Sequence, residues 1–370
     1  MKKLLIIYPH WPPSNLDGVH RSRLITNFIE KFGIKPFVLT VNEKHYDTIP
    51  DQDLINITNS NVAVTKASTH HKIFGKNIVT DLSLRAFFNI LNTASKLINE
   101  YKIDVVWLPI PSYYNSLFGR LLFNRHKIPY GIDYIDPWYN GLPGYQKTFS
   151  KAWLANKLAS VLEPFALKKA SFITGVSTSY YQYVFDNNWA SPSIPNAGMP
   201  YGFDPMDHQV EVSTPFDSLL HNYKVWVYAG AYMPNSSYFL NLFFETVQQL
   251  RNEGKWDSSI RLVFIGTGEY KGSTIKSLAE KYYLKDIVIE YRERYPFLVV
   301  LNTLSLADVV MVIGSTEKHY TASKIFQALL SKRPVFVIVH EASSVRQICS
   351  HASADNFTIA WHENLSEYDF

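Results

Sequence analysis

Residues 307–340, ADVVMVIGSTEKHYTASKIFQALLSKRPVFVIVH, constrain the fold more than any other stretch of this chain. The runs at 308–314 and 334–339 are apolar without alternation, so each reads as a strand covered on both faces. Between them lie a polar loop and a short helical segment, the crossover that parallel strands require. The loop and first helical turn carry Ser315, Thr316, Glu317, His319, Tyr320, Thr321, Ser323 and Lys324. Hydrogen-bonding groups and a cation thus gather at the carboxyl end of a strand, where open parallel sheets take their ligands. Thr321 suits a helix cap that leaves free amides at a positive dipole end, and Lys324 adds a full charge there. The combination reads as a grip for a nucleoside diphosphate.

The same alternation runs along the whole chain. A strand at 4–8 is followed by a proline-containing loop and a helical stretch at 21–31, with further strands at 36–41, 62–65, 104–110, 129–135 and 171–177. Residues 84–101 show helical spacing, with Leu84, Phe87, Phe88, Leu91, Ala94, Leu97 and Ile98 on one side. Three prolines and two glycines in PNAGMPYGFDP, residues 195–205, read as an interdomain linker. Strands at 225–231, 260–266 and 287–291 then lead into the 308–339 pair. A chain of 370 residues is long for one core. The expected fold is α/β, with two Rossmann-like, doubly wound domains at 1–200 and 201–370 facing one another across a cleft.

Composition narrows the classes further. Hydrophobic content of 46% and charged content of 18% describe a globular chain. Cys349 is the only cysteine, which rules out an internal disulfide and fits a reducing compartment. The opening MKKLLIIYPHWPP has five apolar residues before Pro9 and no small-residue cleavage site, so it reads as a strand and not a signal peptide. No window approaches the roughly 18 apolar residues of a spanning helix, and a cytoplasmic setting is expected. Residues 1–200 hold 21 Lys+Arg against 13 Asp+Glu, a net of +8, while residues 201–370 have a net of −4. The basic half suits peripheral contact with an anionic membrane or an acidic acceptor, although scattered solvated lysines give the same count. No dense basic run points to nucleic acid.

The motifs in order resemble GT-B glycosyltransferases, specifically the large retaining, nucleotide-sugar-dependent group (family 4-like). YPHWPPSNLDGVHRSRLITNF is similar to the opening loop and first helix. GIDYIDPW resembles the strand and loop of the acceptor domain, and VYAGA, FIGTGEY, LADVVMVIGST and TASKIFQALLSKRPVF follow in donor-domain order. The resemblance implies transfer of a sugar from a nucleotide-diphosphate donor to a glycan or lipid-linked acceptor, in surface polysaccharide or glycolipid biosynthesis. It further implies retention of configuration, no metal and no cofactor beyond the donor. Where relatives carry two glutamates eight positions apart, this chain aligns His319 and Gln327; MPNSSYF lacks the Arg and Lys that relatives carry after the VYAGA-type strand. The sequence ends at LSEYDF, and by the resemblance the final cross-over helix usual in such enzymes is expected to be missing from it. A sugar-nucleotide epimerase on the same fold and a non-catalytic nucleotide-sugar-binding scaffold are the rival readings.

Candidate residues follow from both arguments. Gly18 permits a turn or a close ligand approach, and Arg21, near a helix start where a cation opposes the dipole, suggests an anionic partner. Asp136 either caps a turn or faces an acceptor together with Trp138, and His10 is a polar contact at a strand end. Asp133 reads as structural, within its strand. Gly230, Gly266 and Gly268 are donor-side by the resemblance, with Glu317, His319, Tyr320, Thr321, Ser323 and Gln327 orienting sugar and ribose. Lys324 and Arg21 are left to neutralise the phosphates. Asp51 and Asp53 mimic a metal-binding Asp-x-Asp but read as a solvated loop.

Overall fold

The computed structural model describes residues 1–69, 81–139, 150–268, 274–317, 322–354 and 357–363. The chain divides into two compact units, Met1–Tyr201 and Gly202–Phe370.

In the first unit the described elements run β1 (Lys2–Ile7), α1 (Asp17–Phe28), β2 (Ile34–Val41), α2 (Asp53–Asn56), β3 (Ala63–Ala67), α3 (Leu82–Arg85), α4 (Phe87–Tyr101) and β4 (Val105–Ile110). They continue as α5 (Ser116–His126), β5 (Tyr130–Tyr134), α6 (Lys151–Leu167), β6 (Phe172–Gly175), α7 (Gln182–Asp186) and β7 (Asn196–Gly198). The second unit comprises α8 (Asp217–Asn222), β8 (Lys224–Ala229), α9 (Ser237–Asn252), β9 (Ile260–Ile265), α10 (Ile275–Lys281), β10 (Val288–Tyr291) and α11 (Phe297–Leu306). It closes with β11 (Val309–Ile313), α12 (Lys324–Leu330), β12 (Val335–His340), α13 (Ser344–His351) and β13 (Thr358–Trp361).

The seven-stranded sheet has the order β3-β2-β1-β4-β5-β6-β7, and the six-stranded sheet β10-β9-β8-β11-β12-β13. Every pairing between named strands is parallel. Strand order reverses between β1 and β4 and again between β8 and β11. Those reversals are the switch points of a doubly wound sheet. Successive strand residues enter opposite cores, as the pleat requires. Leu5 and Ile7 join one cluster and Leu4 and Ile6 another. Likewise Leu262 and Phe264 face one side of the second sheet, and Val263 and Ile265 the other. Both faces of both sheets are therefore covered.

Three expectations need correction. The first helix begins at Asp17, whose carboxylate meets the helix's positive end, so Arg21 sits a full turn inside it. The 84–101 helix breaks at Ala86, and beyond the break Ile90 turns inward while Phe88 is 67% exposed. Part of the expected linker is β7, an edge strand whose residues are all exposed and which pairs with β6. An exposed strand has no apolar signature, which hid it.

Gly119 sets how closely α5 lies on the first sheet. A Cβ there would stand 2.2 Å from the Tyr130 ring and 2.6 Å from Leu108. Gly119→Ala should therefore cost about 1–3 kcal/mol through overpacking. Urea denaturation checks this, and an unchanged midpoint would show that the helix moves freely.

Candidate functional site

In the second unit the carboxyl ends of the switch-point strands bring together Gly230, after β8, and the loop from Ser315, after β11. Lys324 opens α12. Its ammonium donates to the Tyr228 hydroxyl at 2.6 Å and lies 4.0 Å from the centre of that ring. The Tyr228 hydroxyl in turn donates to the Ala231 carbonyl at 2.8 Å. Gly230 has φ +146°, and a Cβ there would come within 2.7 Å of Lys324 Nζ. The glycine thus makes room for the lysine. Ser323, just before α12, is exposed and makes no capping bond.

The same end is stitched by Asn235, which sequence reasoning missed. Its Nδ2 donates to Glu317 Oε1 at 2.8 Å, and its carbonyl accepts from the Thr316 amide at 3.4 Å. The MPNSSYF segment that lacks a cation thus positions the loop acid instead. Gln327 Oε1 lies 2.8 Å from His208 Nε2. The expected ribose contact is therefore engaged by a histidine that no motif announces. Gly266 and Gly268 have φ of +71° and +78°, the left-handed conformation that favours glycine. Their amides donate to the Tyr291 and Arg292 carbonyls, so they are turn residues, and neither amide is left for a phosphate. His319, Tyr320 and Thr321 lie outside the described residues.

In the first unit several candidates change role. Arg21 is 2% exposed and Asp133 fully buried. The guanidinium grips both carboxylate oxygens, at 2.5 and 2.8 Å, and donates to the Met199 carbonyl at 2.7 Å. Thr174 adds a donated bond to Asp133 at 2.6 Å, and Trp107 Nε1 donates to Thr174 at 3.1 Å. Arg21 is thus a structural cation, which corrects its expected role at phosphate. Gly18 gives way to Tyr8, whose hydroxyl lies 2.2 Å from where a Cβ would stand. Trp138 is 8% exposed and stacks on Tyr113 with centroids 5.9 Å apart, so it is core and not an open sugar platform. Asp51 is buried and accepts from Asn15, which overturns the solvated-loop reading.

What remains at the carboxyl ends of β1, β4 and β5 is an acidic rim around Tyr8. Burial, then the charges of Asp17, Asp136 and Asp81, push the Tyr8 hydroxyl up. Asp81 caps α3 through the Leu84 amide at 3.0 Å and accepts from Ser112. Asp136 is surface-exposed yet crowded by protein; that desolvation, with Asp17's charge, raises its pKa to about 6, and the water that reaches it limits the shift. A carboxyl titrating there can accept a proton from a hydroxyl. His10 packs at a tilt against Tyr46 with centroids 4.8 Å apart, and burial lowers its pKa to about 4, which keeps its ring neutral. Asp17 and Asp81 carried no sequence motif; Asp17's place beside Gly18 at the first helix was the one available hint.

Two doubly wound parallel α/β units in one chain, each with polar groups at its switch point, define the GT-B fold. No protein-family model matches the chain, and no curated protein matches its sequence. Solved structures do match. Sucrose-phosphate synthase from Thermosynechococcus elongatus is similar at 13% identity and TM-score 0.61, over 94% of this chain and 83% of that one. HepE from Anabaena, solved with UDP-glucose, has 13% identity and TM-score 0.61, over 97% and 86%. A candidate UDP-N-acetylglucosamine 2-epimerase from Listeria monocytogenes has 12% identity and TM-score 0.54, over 95% and 82%. The likeness is one of fold.

Two outcomes follow from this geometry. Arg21→Met leaves the Asp133 charge buried and unpaired, and should lower stability by about 3–5 kcal/mol in urea denaturation. An arginine serving only a ligand would leave the midpoint in place. For Asp136 the folded-state pKa lies above the ordinary 3.8. Between pH of about 4 and 6 the native state keeps a proton that the unfolded chain has released, so stability falls as pH rises through that window. Asp136→Asn should therefore leave Tm near wild type at about pH 4 and raise it at about pH 7.5. Equal differences at both pH values would remove the raised pKa.

Proposed function

We propose that this protein is a glycosyltransferase that moves a sugar from a nucleoside-diphosphate sugar to an acceptor. The observation that carries the reading is Lys324, held on Tyr228 at the carboxyl end of the second unit's switch-point strands. An ammonium there is suited to the charge that builds on a departing diphosphate, and groups of this kind are each worth roughly 2–4 kcal/mol of barrier. Glu317, fixed by Asn235, would meet hydroxyls of the donor; His319, Tyr320, Thr321 and Ser323 follow it in the sequence. In the first unit Asp136 would receive the acceptor, with Asp17 and Asp81 binding its hydroxyls. Acceptors rich in hydroxyls, a glycan or a lipid-linked sugar of surface polysaccharide or glycolipid assembly, match that acidic rim. Retention of configuration and independence from metal belong to the same proposal.

A non-catalytic, nucleotide-sugar-binding scaffold is the second reading. It draws support from the burial of Arg21 and the engagement of Gln327 by His208, which leave fewer groups for turnover. An epimerase reading draws on the Listeria neighbour.

Thermal unfolding with a panel of nucleoside diphosphates and nucleotide sugars separates these. One base class should stabilise the wild type, by about 2.7 kcal/mol at 100 times Kd, and Lys324→Ala should lose most of that gain. No stabilisation by any nucleotide would sink the proposal. Binding without transfer to any acceptor would favour the scaffold, and conversion of the sugar nucleotide without acceptor the epimerase.

A further inference from the structure

The crossover helix α6, KAWLANKLASVLEPFAL, is apolar on both sides. One side packs into the first unit through Ala159, Ala166 and Leu167, all buried. On the other, Leu154, Leu158, Val161 and Phe165 recur at helical spacing and are 64%, 43%, 67% and 42% exposed. A helix apolar all round belongs in a core or against lipid, and a contiguous exposed stripe marks a contact surface. Scattered single exposed residues would need no such account; four in register along three turns do.

The charges around the stripe have one sign. Lys151, Lys157, Lys168 and Lys169 are exposed on the helix or directly after it. Among the described residues none of these four forms an ion pair. Lys157 lies 5.9 Å from the centre of the Trp153 ring. Arg120 of α5 approaches from the neighbouring helix, its guanidinium 5.7 Å from the Phe165 ring. The helix's single acid, Glu163, is 1% exposed and turned inward, its Oε1 accepting from Tyr134 and Tyr183 at 2.7 and 2.5 Å. Lys168 also lines an open cleft of about 620 Å³ with Asn188, Ser191 and Ser193, a cation and hydroxyls suited to a phosphate-bearing headgroup.

We infer that this face of α6 docks the protein on an anionic membrane surface. The apolar stripe enters the headgroup boundary and the lysines meet lipid phosphates. No helix among the described residues is long and apolar enough to cross a membrane, so the contact is with one leaflet. The inference goes beyond the transferase reading and does not depend on it, since lipid binding is measured without nucleotide or acceptor.

The test is flotation of the full chain with phosphatidylglycerol–phosphatidylcholine vesicles, against vesicles of phosphatidylcholine alone. Wild type should float with the anionic vesicles only, and about 0.5 M salt should release it, because screening then acts within a few ångströms. Leu158→Glu with Val161→Glu should weaken binding about tenfold or more, as should Lys157→Glu with Lys168→Glu. Both pairs lie on the surface, and an unchanged Tm confirms that the fold is intact. No flotation of the wild type, or flotation untouched by both pairs, overturns the inference. A concentration-dependent dimer lost in Leu158→Glu/Val161→Glu, without flotation, also overturns it and assigns the face to a second copy of the chain.

Discussion

Parallel strands cannot be joined by tight turns, and that constraint organises both units. Each connection must travel back across a face of the sheet, so the central strands are apolar on both sides and, within each sheet, the carboxyl ends point the same way. Where strand order reverses, neighbouring connections leave in opposite directions and a gap opens. Tyr8, Asp136 and Ser112 stand at such an end in the first unit, and Gly230, Ser315 and Lys324 in the second. The polar groups need no further device to converge; the winding brings them there.

Two cations that look alike in the sequence have opposite fates. Lys324 opens α12 and rests half-buried on the Tyr228 ring, its ammonium bonded to the phenol hydroxyl. Arg21 is sealed beneath its helix, with three hydrogen bonds to Asp133 and the Met199 carbonyl. A guanidinium fork fits a buried carboxylate in two-point fashion, which an ammonium cannot do. The helix start decides the difference: because α1 opens at Asp17, Arg21 faces the sheet and not the loop.

The fold was legible because it is written in local pattern. Unbroken apolar runs such as 308–314 and 334–339 identified strands within a residue or two of β11 and β12. The site was less legible because its decisive contacts join distant residues. Nothing near Arg21 announces Asp133, and nothing near Gln327 announces His208, 119 positions away. Trp138 misled for a related reason: an aromatic in a loop after a strand resembles a sugar platform until Tyr113 is seen stacked on it. Glycines are ambiguous for the same reason: Gly18 and Gly230 make room for Tyr8 and Lys324, side chains that no neighbouring residue announces.

The Arg21–Asp133 pair also bears on how the chain is made. Its members are 112 positions apart, and the Met199 carbonyl that completes the arginine's bonds is 178 positions from it. A polypeptide leaving the ribosome therefore exposes α1 long before either partner exists. Until β5 has been synthesised, seating α1 would strand a charge in the core, so the nascent helix stays solvated. The opening segment of the protein must wait for the end of its own unit, which makes the first two hundred residues a single step of assembly.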